Sequence, residues 1–373
     1  MTRTETTVTS KVTVDAMHPG VRVEREGASV RITLNRPDKL NAIDSSIREA
    51  ISREIPSIAR DPQVYAVFLR AAPARVFSAG GDIRELYHFA NSDPTRAAAA
   101  CASEYALIWL LDNFSKPTVA WMDGAVMGTA AGIMLCMTHR VAGPGFAFQM
   151  PETAIGFFPD NGVAWHLSRL PHEIGTWLGL TGASIGPADA LHLGLLTHVI
   201  APDHYEQAAA AIADCYPVDQ VLDAIHIDPG PRELSRLYEV IERCFSATDV
   251  REIMRRLDGE KDHQEWCQTQ LATLASRPPL ALAATLEHIR RAHHLDLRQT
   301  LAIDYRLAVR MSAGHDFREA VRTRLIDRSG QQPLWRPSAW SDLSPRDVQR
   351  LFQPLDEGEL ALPCRQEMQA RRV

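Results

Sequence analysis

The chain has 373 residues, 45% of them apolar and 23% charged, and carries a net charge of −6. That is enough chain for one large domain plus a second unit, each with a full core. The mildly acidic balance argues against a polyanionic partner such as nucleic acid, and short basic clusters such as Arg255-Arg256 and Arg290-Arg291 suit a solvated helix face.

Six cysteines are spread along the chain without C-x-x-C spacing, and the fourteen histidines show no H-x-x-x-H or H-E-x-x-H pattern. Free thiols in a reducing compartment are expected, with neither a disulfide frame nor a metal site. The first fifteen residues are Thr-rich and lack an apolar stretch, which fits neither a secretory signal nor a strong transit peptide. The longest apolar run, 125–137, is too short to cross a bilayer. A cytoplasmic protein without membrane contact is the expectation.

In chain order, Val21, Val23, Val30, Ile32 and Leu34 alternate about a Glu-Gly turn, which predicts a β-hairpin. Ile43, Ile47, Ile51, Ile55 and Ile58 then recur at helical spacing. Ser46 and Glu49 have the spacing of a capping box at that helix's start, and Pro56 is expected to end or kink it. Residues 64–71 read as a buried strand leading into the Gly80-Gly81 turn, where backbone can approach a ligand closely. An alanine-rich helical region spans 94–111 and carries an acid, Glu104, beside Tyr105, Leu107 and Ile108.

The stretch 116–162 is the centre of the sequence. A strand over 118–122 meets the Gly124–Gly128 turn, an apolar helix follows over 129–137, and a loop carries Glu152 and Asp160. A glycine turn at a helix start offers N–H groups that stabilise a developing oxyanion, and the two acids could activate water or attack a carbonyl. Repeated strand–turn–helix units imply an α/β fold with parallel strands and sites at their carboxyl ends. Beyond Pro202 no further strand is expected, only amphipathic helices. The expected organisation is a flexible 1–17, a core over 18–200 and a helical region over 201–373.

Four runs, NRPDKLNAI (35–43), FSAGGDI (77–83), KPTVAWMDGAVMG (116–128) and PETAIGFFPD (151–160), resemble the crotonase, or enoyl-CoA hydratase/isomerase, superfamily in order and spacing. The tail, with SRPPLAL and GHDF…VR…LID…P-L-W-R-P, is similar to the 3-hydroxyisobutyryl-CoA hydrolase branch. The resemblance implies a crotonase-like ββα spiral core with a helical C-terminal region covering the active site. It also implies an acyl-CoA substrate, coenzyme A being part of that substrate and no separate cofactor being needed. Backbone N–H groups of Gly81 and Thr129 would form the oxyanion hole, Glu152 and Asp160 would be catalytic, and Glu104 would bind substrate. Leu40, Ala79, Gly80 and Asp82 would line the coenzyme A path. Relatives often trimerise through C-terminal helices, whereas a longer tail can instead fold back over its own domain.

A hydratase needs a second glutamate three residues after the helix-start donor, and this chain has Gly132 there. The implied reaction is therefore hydrolysis of a short branched 3-hydroxyacyl-CoA, 3-hydroxyisobutyryl-CoA above all, in valine breakdown. The competing readings are a hydratase or isomerase of the same superfamily and a non-catalytic acyl-CoA-binding protein. Two departures from the branch stand out: Thr129-Ala130-Ala131 replaces a glycine-rich run, and Asn161, Val163, Ala164, Trp165 and His166 surround a single Gly162 after F-P-D. Trp165 and His166 stand where bulk beside the acidic loop could reshape the acyl pocket, while His166 reads as a core or surface histidine rather than as an acid or base.

Overall fold

The computed structural model describes residues 18–328, 330–356 and 358–373. The Thr-rich N-terminal stretch lies outside the described residues. The strands in chain order are β1 (Val21–Glu26), β2 (Ser29–Leu34), β3 (Ala66–Ala71), β4 (Thr118–Met122), β5 (Ala125–Met127), β6 (His139–Ala142), β7 (Ala147–Gln149), β8 (Ser184–Ile185) and β9 (His198–Val199). The hairpin β1–β2 pairs Val21 with Leu34 and Glu26 with Ser29, and the alternation that predicts it buries Val21 and Val23 while exposing Arg22 and Glu24. From β2 onward the main sheet is parallel, in the order β1-β2-β3-β4-β6-β9. A small second sheet, β5-β7-β8, branches off at the glycine turn.

Two local expectations need correction. The helix Ser45–Arg60 is capped by Asp44, not Ser46: the Asp44 carboxylate accepts from the Ile47 N–H at 2.9 Å and from the Ser46 hydroxyl at 2.5 Å. A carboxylate one position ahead of two serines is thus the better acceptor, and Ser46 becomes its donor. Pro56 neither ends nor breaks this helix, which runs on to Arg60. Ile51 and Ile55 before it and Ile58 after it are all buried, so packing holds the helix across the missing N–H.

Among the described residues every element after β9 is helical. The helices Pro279–Ala292, Leu297–Ser312 and His315–Val321 bury Leu282, Leu301, Leu307 and Phe317 in the same hydrophobic cluster as the sheet. The composition change near residue 200 is therefore no break in packing. Phe317 stacks against Phe157 with ring centroids 5.4 Å apart. Gly156, at φ +68°, lies so close to Asp316 that a Cβ would come within 2.8 Å of the aspartate's own. Through these contacts the tail presses on the acidic loop. No helix among the described residues is long and apolar enough to cross a membrane, and all six cysteines are free.

Candidate active site

A cavity of about 310 Å³ opens where the carboxyl ends of β3 and β5 meet the helices Ile83–Ser92 and Pro94–Asp112. Two glycine turns build one wall. Gly80 adopts φ +85°, and a Cβ there would sit 2.7 Å from the Met127 carbonyl and 3.1 Å from the Thr129 nitrogen. Only a glycine lets the 78–82 segment lie this close to the 127–129 segment. The consequence is that Gly81 and Thr129 present their N–H groups side by side. Among the described residues neither N–H has a protein acceptor. Thr129 is the first residue of the helix Thr129–Leu135, where free N–H groups are inherent to helix geometry.

Glu152 faces this wall. Its Oε1 lies 3.3 Å from where a Gly128 Cβ would stand, and its Oε2 is buried with no hydrogen-bond partner among the described residues. Burial pushes the Glu152 carboxyl up to about 8. An orphaned carboxylate oxygen beside unused N–H donors is costly for folding alone and is what a reacting site requires.

Asp160 lies across the cavity and is also buried. The Tyr105 hydroxyl donates to its Oδ2 at 2.9 Å and the Asn161 amide to its Oδ1 at 2.7 Å. Burial, then the charges of Glu104, Asp304 and Glu152, raise its proton affinity well above the ordinary range, with the Tyr105 hydrogen bond opposing. Asp304, on the helix Leu297–Ser312, accepts the Gly162 N–H at 2.7 Å and pairs with His288 Nε2 at 2.5 Å. The tail thus holds the backbone of the loop that carries Asp160.

Glu104 lines the cavity and is fully engaged. Its Oε1 accepts from the Thr129 hydroxyl at 2.6 Å, and its Oε2 pairs with Arg48 at 3.1 Å. Arg48 is itself buried and also donates to the Ile43 carbonyl. Ala79, Gly81 and Asp82 line the cavity, whereas Leu40 and Gly80 do not. Leu40 is 40% exposed outside it and contributes its carbonyl to the Ala79 N–H at 3.0 Å, while Gly80 supports the wall from behind.

Neither Trp165 nor His166 lines the cavity, which corrects the reshaping of the pocket, while the reading of His166 as a core histidine agrees with its burial. The Trp165 indole donates to the Leu295 carbonyl and stacks under Arg169, so it faces the tail helices. Burial, with the charges of Arg140 and Arg169, lowers His166 to about 3, so it stays neutral and serves as packing. Gly132 has no space for any side chain: a Cβ would meet Asn161 Cβ at 2.6 Å. Tyr105, Arg48 and Asp304 were missed by sequence reading as site residues. Tyr105 reads as an apolar helix face, and only its i+1 adjacency to Glu104 hints otherwise. Among the described residues no His, Cys, Asp and Glu group could hold a metal ion.

The model of the family described as enoyl-CoA hydratase/isomerase matches residues 29–352. The chain belongs to the enoyl-CoA hydratase/isomerase family. It is similar to the mitochondrial 3-hydroxyisobutyryl-CoA hydrolase of Danio rerio, at 33% identity over 92% of this chain and 91% of that one. It is also similar to the mitochondrial 3-hydroxyisobutyryl-CoA hydrolase-like protein 1 of Arabidopsis thaliana, at 34% over 95% and 92%. Among solved structures, a carnitinyl-CoA dehydratase from Mycobacterium thermoresistibile superposes with a TM-score of 0.86 at 32% identity, over 92% of this chain and 99% of that one. An enoyl-CoA hydratase from Rhodobacter sphaeroides gives 0.84 at 32%, over 92% and 100%. The crotonase-type α/β fold with its C-terminal helices is therefore established. The names of these family members divide between hydrolysis and hydration or dehydration, and the site chemistry must choose between them.

Proposed function

We propose that this family member hydrolyses a short 3-hydroxyacyl-CoA thioester, 3-hydroxyisobutyryl-CoA foremost, releasing the hydroxy acid and coenzyme A. The observation that carries the reading is the buried Glu152, its Oε2 without a partner, beside the Gly81 and Thr129 N–H groups that have no acceptor among the described residues, with no room for a carboxylate at the Gly132 position. Adding water across a double bond calls for two acids to position it and deliver the proton, and one of the two positions is filled here by Asn161 backbone and side chain. The names of the Danio rerio and Arabidopsis thaliana relatives support the same choice.

In this mechanism the thioester oxygen accepts from Gly81 and Thr129, each donor being worth roughly 3 kcal/mol as charge develops on that oxygen. The ionised Glu152 attacks the carbonyl carbon or takes a proton from the attacking water, and the coenzyme A thiolate leaves. Asp160, held by Tyr105 and Asn161, has a lone pair free on each oxygen for the substrate 3-hydroxyl. A single turnover in ¹⁸O-water separates the two routes, because label enters the Glu152 carboxylate only if an anhydride forms. Crotonyl-CoA tests the reading against its competitor: no hydration is expected, and rapid formation of 3-hydroxybutyryl-CoA would overturn it.

A purely acyl-CoA-binding role is disfavoured because the Thr129 side chain turns toward Glu104 and leaves its N–H unused. A cytoplasmic location is kept as a proposal for fractionation to test, since the relatives named above are called mitochondrial.

A further inference from the structure

The two segments that carry the Gly81 and Thr129 N–H groups are tied together by backbone only upstream of those donors. Ser78 gives its N–H to the Ala125 carbonyl and its carbonyl takes the Met127 N–H, each at 3.2 Å. Beyond that rung, among the described residues, no backbone hydrogen bond joins 80–82 to 127–129. The spacing of the two donors is therefore set by what each segment leans on behind the cavity wall, and both lean on one side chain.

Gly81 is placed through Ile43. The Ile43 N–H donates to the Gly80 carbonyl at 2.8 Å and the Ile43 carbonyl accepts from the Asp82 N–H at 3.0 Å, a parallel rung with Gly81 opposite Ile43. Successive N–H groups of an extended chain point to opposite sides, so this rung turns the Gly81 N–H away from Ile43. The same Ile43 carbonyl also accepts from Arg48 Nη1 at 3.2 Å. Thr129 is placed through Glu104, whose Oε1 accepts its hydroxyl at 2.6 Å, and Arg48 Nη1 pairs with Glu104 Oε2 at 3.1 Å. One nitrogen thus meets the supports of both donors. Gly81 closes the ring: a Cβ there would stand 2.9 Å from the Thr129 hydroxyl oxygen and 3.8 Å from each Glu104 carboxylate oxygen.

The guanidinium is fixed from its far side as well. Its Nη2 donates to the Ser45 hydroxyl at 2.9 Å, and the Ser45 hydroxyl and N–H both donate to Glu85 Oε2, at 2.8 and 2.9 Å. Arg48 is buried in spite of its charge. A buried ion pair adds little net stability over apolar residues of the same volume, so stability alone gives no reason for an arginine here. A planar cation that reaches a carbonyl, a carboxylate and a hydroxyl at once gives one, and a lysine ammonium on its flexible stem does not hold that geometry.

We infer that Arg48 is a positioning residue of the oxyanion hole: acting through Ile43 and Glu104, it fixes the separation of the Gly81 and Thr129 N–H groups. This inference rests on the cavity being an acyl-CoA site, and the test separates the two claims.

The readout is the carbonyl band of isobutyryl-CoA labelled with ¹³C at the thioester carbon, taken by difference infrared on the E152Q protein with and without R48K. Two aligned donors polarise the carbonyl and lower its band relative to the free thioester. In R48K the band moves back toward the free value while the dissociation constant stays within about threefold. With Glu152 intact, R48K lowers kcat on 3-hydroxyisobutyryl-CoA about 10–100-fold at little changed KM, the split expected when contacts of the transition state are lost. S45A frees Nη2 but keeps the charge and the cavity lining, and it lowers kcat about two- to fivefold with a smaller movement of the band in the same direction. An arginine that only supports folding would lower the melting temperature of R48K and leave the band in place. An unmoved band in R48K overturns the inference; if R48K does not fold, an unmoved band in S45A overturns it. No binding to the E152Q parent, or no lowering of the band there, overturns the acyl-CoA reading of the cavity itself.

Discussion

The Thr129 hydroxyl donates to Glu104 Oε1 at 2.6 Å, directly beside the Gly81 Cα. A residue whose backbone N–H is proposed as an oxyanion donor thereby uses its side chain to hold a cavity carboxylate that Arg48 grips from the other oxygen. Thr129→Val keeps the shape and the N–H but leaves a buried carboxylate oxygen unpaired. Urea unfolding should show a loss of about 1–3 kcal/mol, while kcat changes by no more than about tenfold, far less than loss of an oxyanion donor costs. Thr129→Gly removes the side chain that crowds the carbonyl, and bulkier α-branched thioesters should gain in kcat/KM relative to straight-chain ones. Equal selectivity in the two enzymes would remove Thr129 from the pocket's shape determinants.

Glu152 sets the pH dependence. With its carboxyl raised to about 8, the reactive carboxylate is the minor form at neutrality. The kcat/KM profile should rise with pH and level off above about 8. Stability moves the opposite way: the folded state holds this proton more tightly than the unfolded one, so the Glu152 contribution is fully present below the unfolded value near 4.5 and is lost as pH rises through about 8. Glu152→Gln should fold normally and lack that part of the decline, as read from melting temperatures across the range.

Asp160 is expected to read the substrate hydroxyl. Asp160→Asn should reduce kcat/KM for 3-hydroxyisobutyryl-CoA by at least tenfold and for isobutyryl-CoA by much less. Parallel losses on both thioesters would instead make Asp160 a general support for Glu152.

The buried pair Asp304–His288 is the tail's hold on the acidic loop. Asp304→Ala leaves His288 and the Gly162 N–H without their acceptor and should cost about 3–5 kcal/mol. In the surviving folded fraction kcat should fall more than KM rises, because the loop backbone loosens around Asp160. Denaturant titration and active-site-normalised kinetics check both halves.

The parts of the site that lie in local patterns were legible before the structure. The Gly80-Gly81 and Gly128 turns are read from short runs, because each depends on a local backbone demand, whereas the roles of the P-E-T and F-P-D acids and the meaning of Gly132 came from the family resemblance. Tyr105 meets Asp160 from 55 positions away and Asp304 meets Gly162 from 142, so their roles exist only after the helices pack. Trp165 misled because adjacency to the loop was taken for adjacency to the pocket, whereas the helix Val163–Leu167 turns it toward Leu295 and Arg169. Pro56 misled because local propensity yielded to the buried isoleucines on both sides.

The central claim is that Glu152, facing the Gly81 and Thr129 donors, cleaves a 3-hydroxyacyl thioester. The direct measurement is release of free thiol from 3-hydroxyisobutyryl-CoA by wild-type protein and by Glu152→Gln at pH 8. Multiple turnovers by the wild type and a loss of about 10²–10⁴-fold in the variant are expected. Undiminished thiol release from Glu152→Gln, or none from the wild type, would contradict the account.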